Sequence, residues 1–157
     1  MVQRLRPWGS LLLLALAVSC KSGPAPAPND LGSPVDLTIV AGSRLNPDDR
    51  GQSLPTVIRV YQLRSTAALE RADFNRVCRE PKEALQADLL RTDEFTMSPG
   101  ETLSRAIDRD RNARYLVVVA LFRKPTGTSW RAVVELGPPS KRLNQGFGIE
   151  GYRVETR

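Results

Sequence analysis

Alternation of apolar and polar residues marks the first two extended segments of the chain. In residues 35–42 (VDLTIVAG), every second residue from Val35 to Ile39 is apolar, which is the period-two pattern of a strand that buries one face. Residues 56–63 (TVIRVYQL) combine β-branched and aromatic side chains and predict a second strand.

The strongest predicted element is residues 114–123 (RYLVVVALFR), an apolar run between two polar segments that predicts a central strand covered on both faces. Residues 129–136 (SWRAVVEL) follow a glycine-containing loop and are expected to form its hairpin partner. Further strands are predicted at residues 92–97 and 101–107, joined by a turn at residues 98–100, and at the glycine-rich residues 146–154, expected at a sheet edge.

Two segments between the second and third predicted strands have helical periodicity. Residues 65–78 predict a helix with Ser65 as its N-cap, and residues 80–90 predict a second helix with Pro81 in its first turn. About seven short strands separated by turn signals indicate a mainly β protein. We therefore expect one antiparallel β-sandwich over residues 35–157, with a short helical insertion after the second strand.

The N-terminal segment has the pattern of an export signal. Arg4 and Arg6 precede an unbroken apolar run from Leu11 to Val18, and a basic start before a short apolar core is typical of a secretory signal peptide. As a helix, this run spans about 12 Å, whereas the hydrocarbon core of a bilayer is about 30 Å thick. The pattern therefore predicts a signal peptide over residues 1–19 and not a lasting transmembrane anchor.

The residues that end this run, LAVSC, resemble a bacterial lipobox, in which Cys20 is acylated and becomes the first mature residue. The alternative is an ordinary secreted protein in which Cys20 is incidental. Residues 20–34 predict a tether, because their Pro–Ala alternation favours an extended conformation with a reach of roughly 40 Å. By resemblance to lipoproteins of Gram-negative bacteria, Lys21 after the acylated residue favours transfer to the outer membrane.

The composition argues against an enzyme. The chain has no histidine, the commonest general base and metal ligand. Asp48 and Asp49 are adjacent in sequence and do not face each other across a cleft. Cys78 is the only thiol left once Cys20 is acylated; it has no histidine to activate it, and we expect it to be buried. We therefore expect no catalytic residue, metal site, small-molecule substrate or cofactor beyond the covalent lipid.

The charge pattern argues against nucleic-acid binding. The formal net charge of the whole chain is +6, from 23 basic and 17 acidic residues. Removing the two leader arginines leaves +4, and the remaining positive charges are interleaved with acidic residues. That pattern is typical of a solvated surface.

The segment between the first two strands, residues 43–55 (SRLNPDDRGQSLP), is longer than the two to five residues that a hairpin uses. Leu45 is apolar in a polar segment and needs a pocket, either in the core or on a partner. Pro47 restricts φ and Asn46 can bond its own backbone, which predicts a turn through Asp48. A pre-ordered loop loses less entropy on docking. The alternative is that Leu45 packs on the sandwich and that Asn46 and Pro47 only shape the connection.

Taken in order, these features resemble one family. The lipobox, the Pro-rich tether, LNPDDRGQSLP leading into VIRVYQL, and ALFR followed by WR together resemble the TssJ (SciN) outer-membrane lipoproteins of type VI secretion systems. The resemblance runs from about Val35 to Val154. It implies a transthyretin-like β-sandwich attached to the inner leaflet of the outer membrane of a Gram-negative bacterium.

The resemblance also implies a partner. Members of this family bind the periplasmic C-terminal region of the inner-membrane protein TssM and help to assemble the type VI secretion membrane complex. The loop between the first two strands is the part implicated in this contact. We therefore expect the partner-binding residues to be Leu45, Asn46, Pro47, Asp48, Asp49, Arg50, Gly51 and Gln52.

The competing interpretation is an envelope lipoprotein that binds cell-wall glycan or another periplasmic polymer. Such a protein needs several aromatic residues on one exposed face, and the chain has only nine, of which Trp8 lies in the leader. Trp130 beside Arg131 resembles an anchor pair, but sandwich cores often contain a tryptophan, so we expect core packing. Tyr61 and Tyr152 are likewise expected to be strand aromatics.

Overall fold

The computed structural model describes residues 31–157. The predicted signal peptide, Cys20, Lys21 and the tether up to residue 30 lie outside the described residues. The described elements, in chain order, are β1 (Leu31–Leu45), β2 (Thr56–Leu63), α1 (Ala67–Arg71), α2 (Phe74–Arg79), α3 (Pro81–Leu85), a 3₁₀ turn (Gln86–Asp88), β3 (Leu89–Met97), β4 (Thr102–Asp110), β5 (Tyr115–Ala120), β6 (Arg131–Glu135), β7 (Leu143–Gly151) and β8 (Arg153–Thr156).

The strands form two four-stranded sheets. One has the order β4-β1-β7-β8 and the other β3-β2-β5-β6. Neighbouring strands are antiparallel, except that β1 and β7 are parallel. The predicted β-sandwich, with its helices inserted after the second strand, is therefore confirmed.

Successive strands often change sheet. β1 and β2 belong to different sheets, and so do β3 and β4. The segment after β1 is therefore a crossover between the layers and not a hairpin loop, which is why it is longer than a hairpin needs.

The alternation of β1 builds one side of the core. Val35, Leu37, Ile39 and Ala41 are each no more than 2% exposed, whereas the residues between them are partly exposed. Because side chains of a strand alternate between faces, this one strand contributes a continuous apolar row to the space between the sheets.

β2 is covered on both faces. Tyr61 is fully buried and its hydroxyl donates to the backbone carbonyl of Val77 in α2, at 3.3 Å. On the opposite face, the side chain of Gln62 reaches β4 of the other sheet. Its amide donates to the carbonyl of Asp108 at 2.7 Å, and its carbonyl accepts from the N–H of Asp110 at 2.8 Å. This buried amide is therefore satisfied on both sides and joins the sheets.

β5 pairs with β2 on one side and β6 on the other. Its residues from Leu116 to Ala120 are fully buried. One face of this sheet meets the other sheet, and on the opposite face the helices are bonded to the two neighbours of β5, through Tyr61 of β2 and Arg131 of β6. Cover on both faces explains the uninterrupted apolar run. The predictions of a central strand and of its hairpin partner β6 are confirmed.

The predicted helix over residues 65–78 is wrong in its continuity. The chain leaves the helical conformation at Ala72, where ψ is 139°, and restarts at α2. Asp73 caps α2 by accepting from the N–H of Arg76 at 2.9 Å, which is the preferred use of Asp at a helix start. The N-cap of α1 is Thr66, one residue after the predicted Ser65. Pro81 does begin α3.

The predicted C-terminal edge strand over residues 146–154 is also wrong. It is two strands that turn at Gly151, whose φ is +57°. β7 lies inside its sheet, between β1 and β8, and the shorter β8 forms the edge. At the other terminus, β1 begins at Leu31, four residues before the predicted start at Val35, because Leu31 pairs with Asp110 of β4.

Candidate protein-binding surface

The two residues that begin the predicted partner-binding segment are buried. Leu45 is fully buried as the last residue of β1 and packs in the core, so its side chain is part of the fold. Asn46 is 4% exposed and has a φ of 45°. Its side-chain carbonyl accepts from the backbone N–H of Arg123 at 2.9 Å. The predicted bond from Asn46 to its own backbone is therefore wrong.

The local turn is made by Asp48 instead. One oxygen of its carboxylate accepts from the backbone N–H of Arg50 at 2.9 Å and of Gln52 at 2.8 Å. The Asp48 carbonyl accepts from the N–H of Gly51 at 3.0 Å, and Gly51 has a φ of +81°, which favours glycine. The residues from Asp48 to Gln52 thus form a closed, hydrogen-bonded turn.

The rest of the loop is held by other segments. The backbone N–H of Leu54 donates to the carbonyl of Leu45 at 3.0 Å. The hydroxyl of Tyr152, between β7 and β8, donates to the carbonyl of Pro47. Tyr152 itself packs edge-to-face on Phe122, with ring centroids 5.9 Å apart. Three connections therefore meet at one end of the sandwich: residues 46–55, residues 121–130 and residues 151–152. We call this the loop end.

Charged side chains cover the loop end. Asp49 lies 2.5 Å from the ammonium of Lys124 and 3.7 Å from the guanidinium of Arg123. The hydrogen bond from Lys124 and the two positive charges lower the pKa of Asp49, and the same bond raises the pKa of Lys124. Because these groups are exposed, the ion pairs add little stability, but they orient the charges.

Four residues of the predicted partner-binding segment are exposed to solvent. Asp49, Arg50, Gly51 and Gln52 are exposed, whereas Pro47 and Asp48 are half-buried. Arg123 and Lys124 are exposed beside them. This ordered and mixed-charge surface suits protein recognition, in which charge complementarity sets orientation and association rate.

Sequence reasoning missed Arg123, Lys124 and Tyr152 as parts of this surface. They lie 75 to 105 residues from their loop partners, and no local pattern connects residues that far apart. The only local signal was the polar, Gly- and Pro-containing segment after β5, which marks an exposed loop.

The aromatic side chains do not form a binding platform. None of the eight aromatic residues within 31–157 is exposed. Trp130 is 2% exposed, packs edge-to-face on Phe74 at 5.4 Å, and donates from its indole N–H to the Gly127 carbonyl. Arg131 lies over the same indole, 4.9 Å from the ring centroid, and donates to the Leu69 carbonyl. The expected core packing of Trp130 is confirmed.

Few groups in the described region have the properties of reactive centres. Cys78 is half-buried on α2, and burial raises the pKa of its thiol to about 11. Within residues 31–157, no three His, Cys, Asp or Glu side chains are grouped so as to hold a metal ion. No helix in the same range has the length and apolar character needed to cross a membrane.

Known proteins share this architecture. A family model described as "Type VI secretion lipoprotein, VasD, EvfM, TssJ, VC_A0113" (T6SS-SciN) matches residues 33–148. The chain is similar to the crystal structure of the T6SS lipoprotein TssJ1 from Pseudomonas aeruginosa, with 28% identity and a TM-score of 0.71 over 80% of this chain and 97% of that chain. No curated protein sequence matches the chain.

Two further solved structures are similar to the chain at lower sequence identity. Serratia marcescens Lip, a membrane bound component of the type VI secretion system, is 26% identical, with a TM-score of 0.71 over 80% of this chain and 97% of that chain. A chain in the structure of the T6SS protein TssM C-terminal domain (869–1107) from EAEC is 23% identical, with a TM-score of 0.69 over 78% of this chain and 99% of that chain. At that identity the likeness concerns the fold alone.

Proposed function

Since the chain belongs to the T6SS-SciN (TssJ) family of type VI secretion lipoproteins, matched over residues 33–148, we propose that it links the outer membrane to the inner-membrane protein TssM. In this role, acyl chains on Cys20 hold it in the inner leaflet of the outer membrane, and Lys21 directs it there. Its folded domain binds the periplasmic C-terminal region of TssM. The family is one of structural secretion lipoproteins and not of enzymes.

The observation that carries the partner contact is the ordered loop end. Asp48 closes the turn with two bonds from its carboxylate, and Asn46 and Tyr152 tie the loop to other segments. This pre-ordering lowers the entropy lost on docking. The exposed charges of Asp49 and Arg50 are then presented in a defined geometry. Membership of the type VI secretion lipoprotein family supports a partner within that secretion system.

The course of β1 supports the proposed arrangement between the membranes. The strand begins at Leu31, which follows Cys20 in the sequence, and ends at Leu45, which leads into the loop end. Acylation at Cys20 would therefore attach the membrane at one end of the strand and leave the loop end pointing away from it. Several acyl chains together make such an attachment stable.

The competing glycan-binding function has no supporting observation in the described region. Sugar recognition by stacking needs exposed aromatic rings, and residues 31–157 expose none. We therefore retain a protein as the proposed partner.

Binding to the purified periplasmic C-terminal region of TssM from the same bacterium tests this proposal. Mature protein is immobilised through its acyl chains on a supported bilayer, and association is followed by interferometry. We expect saturable binding, whereas sedimentation with purified cell wall should leave the protein in the supernatant. Failure to bind TssM together with co-sedimentation with cell wall would overturn the proposal.

The membrane link is tested separately. Cys20→Ser removes the acyl acceptor. The variant should therefore carry no acyl chains and should be absent from the outer-membrane fraction. Intact-mass measurement of the mature wild type should show the added acyl chains, and a mature chain without them would contradict the proposed anchor.

A further inference from the structure

The end of the sandwich opposite the loop end carries a basic pocket of about 590 Å³. It lies between the β4–β5 connection and the β6–β7 connection. Four arginines and one carboxylate line it: Arg64, Arg109, Arg111, Arg114 and Glu135. We call it the arginine pocket.

Arg109 is a buried cation at the base of this pocket. It is 1% exposed and sits on β4 opposite Gly32 of β1. Its guanidinium donates to three backbone carbonyls, those of Ala113, Gly137 and Pro138, at 3.1, 2.5 and 3.1 Å. These bonds hold the β4–β5 connection and the β6–β7 connection together.

The charge of Arg109 is nevertheless uncompensated. Its Nε has no hydrogen-bond partner within residues 31–157, and none of the ion pairs in that range includes it. Burial lowers the pKa of the guanidinium, but arginine stays charged at neutral pH. A buried charge without a counter-charge is costly, so an anion in the pocket would offset an existing penalty.

The other arginines add to the positive field. Arg64, Arg111 and Arg114 are exposed, and no ion pair of the described residues involves any of them. Glu135 is the one carboxylate among the lining residues. The pocket therefore has a formal excess of positive charge and several free N–H donors, which match the oxygens of a phosphate.

The arginine pocket lies beside the first residues of β1. A second cavity beside it is lined by Leu31, Ser33, Pro139 and Arg111. The N–H of Ser33 donates to the carbonyl of Pro139 at 2.7 Å, and Arg111 reaches the carbonyl of Leu31 at 3.4 Å. Cys20 is only eleven residues before Leu31 in the sequence. An acyl anchor on Cys20 would keep this end of the domain within about 35 Å of the membrane.

We propose that the arginine pocket binds the phosphate of an anionic phospholipid headgroup in the leaflet that holds the anchor. This inference rests on the proposed acylation of Cys20, which brings the pocket near the headgroups. Docking of this end would hold the domain upright, with the loop end turned toward the periplasm. Basic clusters next to a membrane anchor are attracted to anionic leaflets in the same way.

Hydrogen–deuterium exchange on the full mature chain tests the proposal. The protein is placed in nanodiscs of phosphatidylcholine alone or of an equimolar mixture of phosphatidylcholine and phosphatidylglycerol. We expect the backbone amides of residues 111–114 and of Leu136, Gly137 and Ser140 to exchange several-fold more slowly in the anionic discs. The double variant Arg64→Gln/Arg114→Gln should lose this protection. It leaves Arg109 in place, so the carbonyl bonds that shape the pocket are kept.

The matched control removes the same charge from the loop end. Arg123→Gln/Lys124→Gln should keep full protection of the pocket segments. Equal loss in both double variants, or no difference between the two kinds of disc, would overturn the proposal. Protection by inorganic phosphate in phosphatidylcholine discs, without protection by phosphatidylglycerol, would overturn the lipid as the source of the phosphate.

Failure of the anchor is distinguishable from failure of the pocket. Intact mass reports acylation of Cys20 independently of exchange. If the mature chain carries no acyl group, the pocket is tested by flotation with vesicles of the same two compositions. Binding to the anionic vesicles that depends on Arg64 and Arg114 would then support the pocket alone, and no binding would refute it.

Discussion

The backbone N–H of Arg123 donates to the side-chain carbonyl of Asn46 at 2.9 Å, across 77 residues of sequence. This bond joins the β1–β2 loop to the segment after β5, and it does so from a residue that is 4% exposed. Asn46 also adopts a φ of 45°, which Asn tolerates better than other side chains with a Cβ. One asparagine thus supplies both the positive-φ backbone conformation at this position and the cross-link to Arg123.

Asn46→Ala should destabilise the domain. Alanine loses the acceptor for Arg123 and keeps the strain of positive φ, so the free energy of unfolding should fall by about 2 kcal/mol. Urea denaturation measures this. Asn46→Gly relieves the strain and loses the bond, and Asn46→Asp keeps an acceptor, so both should be less destabilised. An alanine variant as stable as the wild type would show that the bond contributes nothing.

Arg50→Glu should weaken partner binding without affecting the fold. Its side chain is exposed, and its backbone N–H, which the substitution retains, makes the bond to Asp48. Reversal of an exposed interface charge mainly changes association, so the association rate with the TssM region should drop about tenfold. Interferometry measures the rate and a thermal melt checks the fold.

Arg105→Glu is the control for that variant. Arg105 is exposed on β4, away from the loop end, and the change in net charge is identical. It should bind TssM like the wild type. If both variants bind equally poorly, total charge and not the loop end governs the contact.

The ion pair of Asp36 and Arg142 should make stability depend on pH in the acid range. The guanidinium donates to both carboxylate oxygens, at 2.5 and 2.6 Å, and these bonds lower the pKa of Asp36 below 3.8. The folded-state pKa is thus below the unfolded one. The contribution is therefore complete above the unfolded value and is lost as pH falls through the lowered one.

Comparing wild type with Asp36→Asn isolates this effect. The difference in melting temperature between them should be constant from about pH 5 to pH 8 and should shrink below about pH 4. A difference that grows on acidification would contradict the assignment. Since the pair is exposed, we expect the effect to be small.

Cys78 should react slowly with alkylating reagents. Burial raises the pKa of its thiol from 9.0 to about 11, which lowers the thiolate fraction at neutral pH by about 100-fold, and the thiolate is the nucleophile. Iodoacetamide labelling followed by mass spectrometry should show this slow reaction in the folded protein and a normal rate in denaturant. Equal rates in the two conditions would show that the thiol is accessible.

The loop between β1 and β2 was predictable from the sequence only in its local features. The sequence predicted a loop between the first two strands and a turn within it, and both are present. It placed the side-chain-to-backbone bond on Asn46, whereas Asp48 makes the turn and Asn46 serves a distant segment. From the sequence, Leu45 could pack either in the core or in a pocket on a partner. The folded structure shows that it packs in the core.

Periodicity predicted most of the strands and the β-sandwich, because a strand with one buried face repeats every two residues and a strand with two buried faces is apolar throughout. The family followed from the resemblance of particular motifs. Such periodicity reports burial but not the identity of the neighbour. Three features became visible only in the folded chain: β7 runs parallel beside β1, Tyr152 supports Pro47, and Arg109 is buried among other arginines. These contacts join segments that are far apart in the chain. They stabilise the protein only after folding has brought those segments together, so no local sequence pattern reports them.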